Sequence, residues 1–128
     1  MSSLRLHVMS NGEKGSETMR RRGGIEPAKK QSLTSIVSYE PGSVVSRTVI
    51  DRGAGTVTLF AFDEGEGLSE HTASYDALLY ILEGEALVTV SGVSNEMKVG
   101  EAIVLPAGKP HSVRATGRFK MLLTMIRE

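Results

Sequence analysis

From residue 32 onward the chain breaks into short apolar runs rich in β-branched residues, divided by turn residues at the spacing of a sandwich or barrel. The runs are Val44 to Asp51, Thr56 to Phe62, Asp76 to Leu82, Glu85 to Val90, Glu101 to Leu105, His111 to Arg114 and Phe119 to Ile126. Between them stand Arg52-Gly53-Ala54-Gly55, Glu64-Gly65-Glu66-Gly67, Glu83-Gly84, Ser91-Gly92, Gly100 and Pro106-Ala107-Gly108-Lys109-Pro110. Glycine supplies positive φ in such turns and proline ends strand pairing, so this rhythm predicts an all-β body. Ser32 to Ser38 reads as a helical turn or a first strand.

Residues 1–31 are different. They are polar, carry Gly23-Gly24 and Pro27, and show no sustained apolar period, which predicts a flexible arm ahead of one domain over 32–128. The arm holds seven basic against three acidic side chains, a net of +4, and the body eight against twelve, a net of −4. The whole chain is neutral, so no global field draws it to nucleic acid or to an anionic membrane. The run Arg20-Arg21-Arg22 lacks interleaved aromatics and reads as a solvated stretch. No apolar run approaches the roughly 18 residues of a membrane span, and no h-region of a secretory signal is present. The absence of cysteine excludes disulfides, thiolate zinc sites and a cysteine nucleophile. These features predict a soluble, cytoplasmic protein of 128 residues with one core and one pocket.

Two spaced patterns carry chemistry. The second in the chain reads Gly100, Glu-Ala-Ile-Val-Leu, Pro106, Ala107, Gly108, Lys109, Pro110, His111. The first reads Gly65, Glu-Gly-Leu-Ser-Glu, His71, Thr72, Ala73, Ser-Tyr-Asp, Ala77, six residues, Gly84. Together they resemble the two motifs of the cupin superfamily, G-x5-H-x-H-x3-E-x6-G and G-x5-P-x-G-x2-H, and the resemblance extends over residues 43–128. It implies an RmlC-like double-stranded β-helix, a jelly-roll barrel, and a site inside it. Two family ligands are replaced: Ala73 stands at the second histidine of the first motif and Ala77 at its glutamate, while Ala115 stands where an asparagine often follows the second motif.

Strand alternation places His71, Ala73, Ala77, Leu79 and Ile81 on one face if the frame is continuous, and His111, Val113 and Ala115 on one face of a later strand. The resemblance turns both faces into the barrel, so that two imidazoles oppose each other in a pocket walled by Ala73, Ala77, Leu79, Ile81 and Val113. The alanines are expected to leave volume there, with Phe60 and Phe62 as core filling. His71 and His111 are the candidate catalytic and metal-binding residues. Asp76 lies one position off the glutamate and points away unless a bulge re-aims it, and the third histidine, His7, is in the arm.

Three readings of the pair stand open: a weak site for a divalent transition metal (Zn, Ni, Cu, Fe or Mn) completed by water, substrate, Met121 or Met125; a metal-free pocket in which imidazoles bind a ligand or move protons; and two structural histidines. Arg47, Arg114 and Lys120 read as surface charges. A small-molecule-binding cupin of unassigned specificity ranks first, and an isomerase, lyase or oxygenase is the alternative. Leu78, Tyr80 and Leu82 form a second apolar phase on the strand of Leu79 and Ile81, which predicts a homodimer unless Ser32 to Ile50 folds back over them.

Overall fold

The computed structural model describes the backbone of Val8–Met9 and Met19–Arg22, and residues 25–127 in full. The reading of residues 1–31 as a flexible arm lies largely outside the described residues, as does His7. The chain runs β1 (Val8–Met9), β2 (Met19–Arg22), α1 (Leu33–Ile36), β3 (Val44–Arg52), β4 (Gly55–Phe62), β5 (Gly67–His71), β6 (Asp76–Glu83), β7 (Glu85–Val90), β8 (Val93–Lys98), β9 (Ala102–Leu105), β10 (His111–Arg114) and β11 (Phe119–Ile126). Two sheets face each other, one in the order β1-β5-β10-β7-β8 and the other β2-β3-β4-β11-β6-β9. Among the described residues only β2 pairs in parallel, with β3. This is the all-β body expected from the strand rhythm, arranged as the jelly roll that the motif resemblance implies, and no described helix is long and apolar enough to cross a membrane.

All seven apolar runs became strands. Within residues 32–128 two further strands, β5 and β8, come from stretches with little apolar content, Gly-Leu-Ser-Glu-His and Val-Ser-Asn-Glu-Met-Lys. β8 is an edge strand paired only with β7, and Met97 alone of its residues is buried, so no alternation is needed to hold it. Glu101 lies in the turn before β9, and Gly55 is the first residue of β4 rather than turn.

Gly84 shows why the barrel closes where it does. The chain leaves one sheet at Glu83 and enters the other at Glu85. At Gly84 φ is +76°, and a Cβ there would sit 2.2 Å from the Arg118 carbonyl oxygen, so this corner admits only glycine. Beneath it Phe62 and Phe119 stack at 4.4 Å between centroids, with Phe60 5.9 Å from Phe62. These rings and Ile81 pack one end of the interior solid, each contributing about 1.5–3 kcal/mol by burial.

The outer face of the six-stranded sheet carries its own apolar layer. Val37 seals against Val45, Leu59 and Ala61, with Ile36, Tyr39, Leu82 and Leu122 around them. The segment 33–42 therefore lies across this face as a strap. Lys120, expected at the surface, is buried beneath it: its Nζ donates to the Thr34 carbonyl, lies 4.9 Å from the Tyr39 ring centroid and sits 4.0 Å from Glu83. Tyr39 donates to Glu83 Oε2 at 2.7 Å, and burial together with that carboxylate raises its phenol well above the usual range. Arg118 stacks on the same ring and binds Asp63 at 2.9 Å. Arg47 donates to the Ile36 carbonyl, while Arg114 is exposed as expected. The strap covers Leu82 but leaves Leu78 and Tyr80 exposed beside Val104 and Ile126.

Candidate functional site: two imidazoles at an apolar cavity

His71 ends β5 and His111 begins β10, and these strands are neighbours in the five-stranded sheet with the two histidines in register. The imidazoles therefore stand side by side on one sheet, a correction to the expectation that they oppose each other across the barrel. Strict alternation would put Leu68 and His71, three residues apart, on opposite faces. A bulge intervenes: His111 to Val113 spans two residues of β10 while His71 to Leu68 spans three of β5. The extra residue restores the phase, and both Leu68 and His71 line the interior cavity.

The ring nitrogens have assigned roles. Nδ1 of His71 lies 2.9 Å from the Ser69 carbonyl oxygen, and Nδ1 of His111 lies 3.3 Å from that of Lys109. A carbonyl only accepts, so Nδ1 is the donor in each of these contacts. The two Nε2 atoms are 3.2 Å apart. Ring centroids are 4.3 Å apart with planes at 70°, so the nitrogens meet obliquely rather than head-on. A proton or a cation between them joins the two nitrogens. Burial, and then the neighbouring His71, push the His111 pKa below the ordinary histidine value against a smaller upward pull from the Lys109 carbonyl. His111 is 7% exposed and His71 is partly buried.

The remaining wall is aliphatic or thioether. Ala73, Ala77, Leu79 and Val113 line the cavity, joined by Leu68 and Leu105 and by Met121, Leu123 and Met125 from β11. Ile81, expected in the wall, is instead fully buried in the core and does not reach the cavity. The frame from His71 to Leu79 is not one strand either. β5 stops at His71, and residues 72–75 form a loop whose Ala73 carbonyl accepts the Gly108 N–H at 2.8 Å. That bond ties the two motif loops together. Asp76 assists from outside, where its Oδ1 accepts the Ala107 N–H at 2.8 Å. Its carboxylate thus holds the second motif's turn and does not face the imidazoles.

The cavity is about 40 Å³, smaller than the alanines led us to expect, because side chains from β9 and β11 fill the space. Among the described residues no three or more His, Cys, Asp or Glu side chains gather as a metal cluster. The four-donor set of the family therefore does not fit this barrel, since Ala73 and Ala77 offer no lone pair. Sequence reasoning missed Leu68 and Leu105, and left Met121 and Met125 conditional on their direction. The bulge in β5 was the signal needed for Leu68, and it is not visible in residue order.

Comparison with known proteins follows the same lines. The profile of the Cupin domain family matches residues 58–127. A conserved Streptococcus pyogenes protein of unknown function is 35% identical over 82% of this chain and 92% of its own, with a TM-score of 0.78. A cupin 2 conserved barrel domain protein from Leptotrichia buccalis is 39% identical over 73% of this chain and 46% of its own, with a TM-score of 0.71. A cupin superfamily protein from Desulfitobacterium hafniense is 28% identical over 82% of this chain and 96% of its own, with a TM-score of 0.77. No match to a curated protein was found.

Proposed function

The chain belongs to the cupin superfamily, and on that premise we propose that it is a small-molecule-binding cupin of unassigned specificity whose working groups are His71 and His111. One observation carries the reading: two imidazole Nε2 atoms 3.2 Å apart at an otherwise apolar cavity. Such a pair accepts a proton from a ligand or donates lone pairs to a metal ion, and Ala73, Ala77, Leu79 and Val113 give the rest of the ligand an apolar seat. Ligation by two imidazoles alone is a reduced metal site, and the fixed Nδ1–H···O=C bonds supply the outer contacts that orient ligating histidines.

The alternative is an enzyme in which the same pair moves protons as an isomerase or lyase. The shared geometry of the Nε2 atoms favours acid–base work over oxygenase chemistry, which needs a redox metal held firmly. Elemental analysis of protein purified without added metal or chelator, with the His71→Ala variant beside it, tests the site. Metal or a co-purifying small molecule should be present in the natural protein and lost in the variant. Equal content in both would remove His71 from the site.

The protein is further proposed to be a cytoplasmic homodimer that pairs through the exposed face of Leu78, Tyr80, Val104 and Ile126. Sedimentation at micromolar concentration should give twice the 13.8 kDa chain mass, and Leu78→Glu should halve it. A concentration-independent single-chain mass would end that reading.

A further inference from the structure

Each sheet has two borders, and the strands that form them are guarded differently. β8 carries Glu96 and Lys98, β2 reads Met-Arg-Arg-Arg, and β1 is only two residues long. Charges and brevity are the usual means by which an edge is kept from pairing with another chain. β9 has no charge, no proline and no bulge: it reads Ala-Ile-Val-Leu in unbroken register with β6. Its free side follows from the ladder. Ile81 on β6 donates its N–H to the Glu101 carbonyl and accepts from the Gly100 N–H, both at 3.0 Å. Backbone groups alternate along a strand, so Ile81, Leu79 and Ala77 address β9, while Glu101, Ile103 and Leu105 address β6. The N–H and C=O of Ala102 and Val104 therefore point away from the sheet. Both residues are exposed, Val104 to 54%, and they stand on the outer face beside Tyr80 and Leu78.

A second copy of β9, run antiparallel about a two-fold axis, keeps the two outer faces aligned only where residues of the same phase meet. Centred on Val104, the pairing would set Ala102 against Pro106, which has no N–H to give. Centred on Ala102, it would set Val104 against Gly100, whose φ of +89° does not belong to a strand. Centred on Ile103, Ala102 of each copy meets Val104 of the other, and each such pair exchanges both N–H···O=C bonds. The outer face then carries continuous apolar rows, Leu78 and Val104 of one copy followed by Ala102 and Tyr80 of the second. The same register sets Glu101 of one copy across from Leu105 of the other, whose following turn bears Lys109, so opposite charges flank the pairing at both ends.

We propose that two copies of the chain join edge to edge through β9, centred on Ile103, so that the larger sheet runs unbroken through both. This pairing rests on the homodimer reading and adds the strand, the register and the bonds that join the copies.

The experiment uses the full chain, which has no cysteine, so one introduced thiol can form a disulfide only with the same position of a second copy. In this register Ile103 meets its own counterpart, with Cβ atoms about 4.5–5.5 Å apart, whereas Val104 lies about 7–8 Å from its counterpart. Under mild oxidation Ile103→Cys should therefore give a disulfide-linked dimer about tenfold faster than Val104→Cys, or more. Val104→Pro removes one border N–H from each copy and leaves the bonds to β6 in place. It should weaken the dimer by about tenfold or more in sedimentation, with thermal unfolding to confirm that it folds; if it does not fold, the cross-linking comparison decides alone. A dimer undiminished in folded Val104→Pro, or Ile103→Cys cross-linking no faster than Val104→Cys in a protein that sediments as a dimer, overturns the edge pairing and leaves the homodimer standing. A single-chain mass for the natural protein at every concentration overturns both.

Discussion

Returning the two missing family donors to the barrel is the most demanding test of the site geometry. The double variant Ala73→His with Ala77→Glu adds an imidazole and a carboxylate where two alanine methyls now line the cavity. Neither change disturbs the backbone anchors, since residue 73 is held through its carbonyl by Gly108 N–H and residue 77 by pairing to Leu105 and Met125. Without metal the variant should be less stable. An unpaired polar group costs about 1–3 kcal/mol and overpacking a space of about 40 Å³ a similar amount. At roughly 3–4 °C per kcal/mol for a chain of this length, Tm should fall by about 10 °C. Zinc(II) should then reverse the loss. If affinity rises about 100-fold over the natural protein, stabilisation at equal excess metal rises by about 2.7 kcal/mol, or about 10 °C. Thermal unfolding with and without zinc, backed by calorimetry, measures both numbers. An equal metal-induced shift in the natural protein would refute the donor count, and no shift in the variant would show that positions 73 and 77 do not face the imidazoles.

Three further outcomes are expected. Because the folded His111 has a pKa below that of the unfolded chain, the unfolded state binds more protons as pH drops below about 6.5, so stability present above that value is lost on acidification; His111→Gln should flatten this part of a Tm-against-pH curve, and an unchanged slope contradicts the assignment. Gly84→Ala should cost about 3 kcal/mol or more in urea unfolding, because its Cβ meets the Arg118 carbonyl at 2.2 Å in a left-handed conformation, and a cost below about 1 kcal/mol would mean that the corner yields. Lys120→Met keeps the buried stem but removes the donor to Thr34 and the cation against Tyr39; it should cost about 1–3 kcal/mol and raise amide exchange in residues 33–42 ahead of the barrel strands.

The fold was legible because glycine, proline and β-branched residues speak locally. Strands β3, β4, β6, β7 and β9–β11 each carry an apolar run bounded by turn residues, and each formed within one residue of its run at either end. β5 was not legible: Leu68 is its one large apolar residue, and pairing to β10 rather than composition holds it. The histidine pair could be named from motif spacing, yet its side-by-side placement could not, because one bulged residue decides which face His71 takes. Lys120 misled for a related reason. A lysine on an outward phase reads as surface until a segment some eighty residues earlier supplies a carbonyl and an aromatic ring above it. Cavity volume was hidden too, since alanines at 73 and 77 say nothing about how far methionines on another strand reach.

β11 lies between β4 and β6 in the larger sheet, bonded to both along nearly its whole length. During synthesis β3–β4 and β6–β9 emerge from the ribosome as separate pieces, each with an unpaired edge that only residues 119–126 can fill. Such long-range pairing is slow and exposes those edges while it waits. The cavity obeys the same schedule, since Met121, Leu123 and Met125 form the wall facing the histidines. A chain that ends before residue 119 therefore carries both imidazoles but lacks the wall that Met121, Leu123 and Met125 supply.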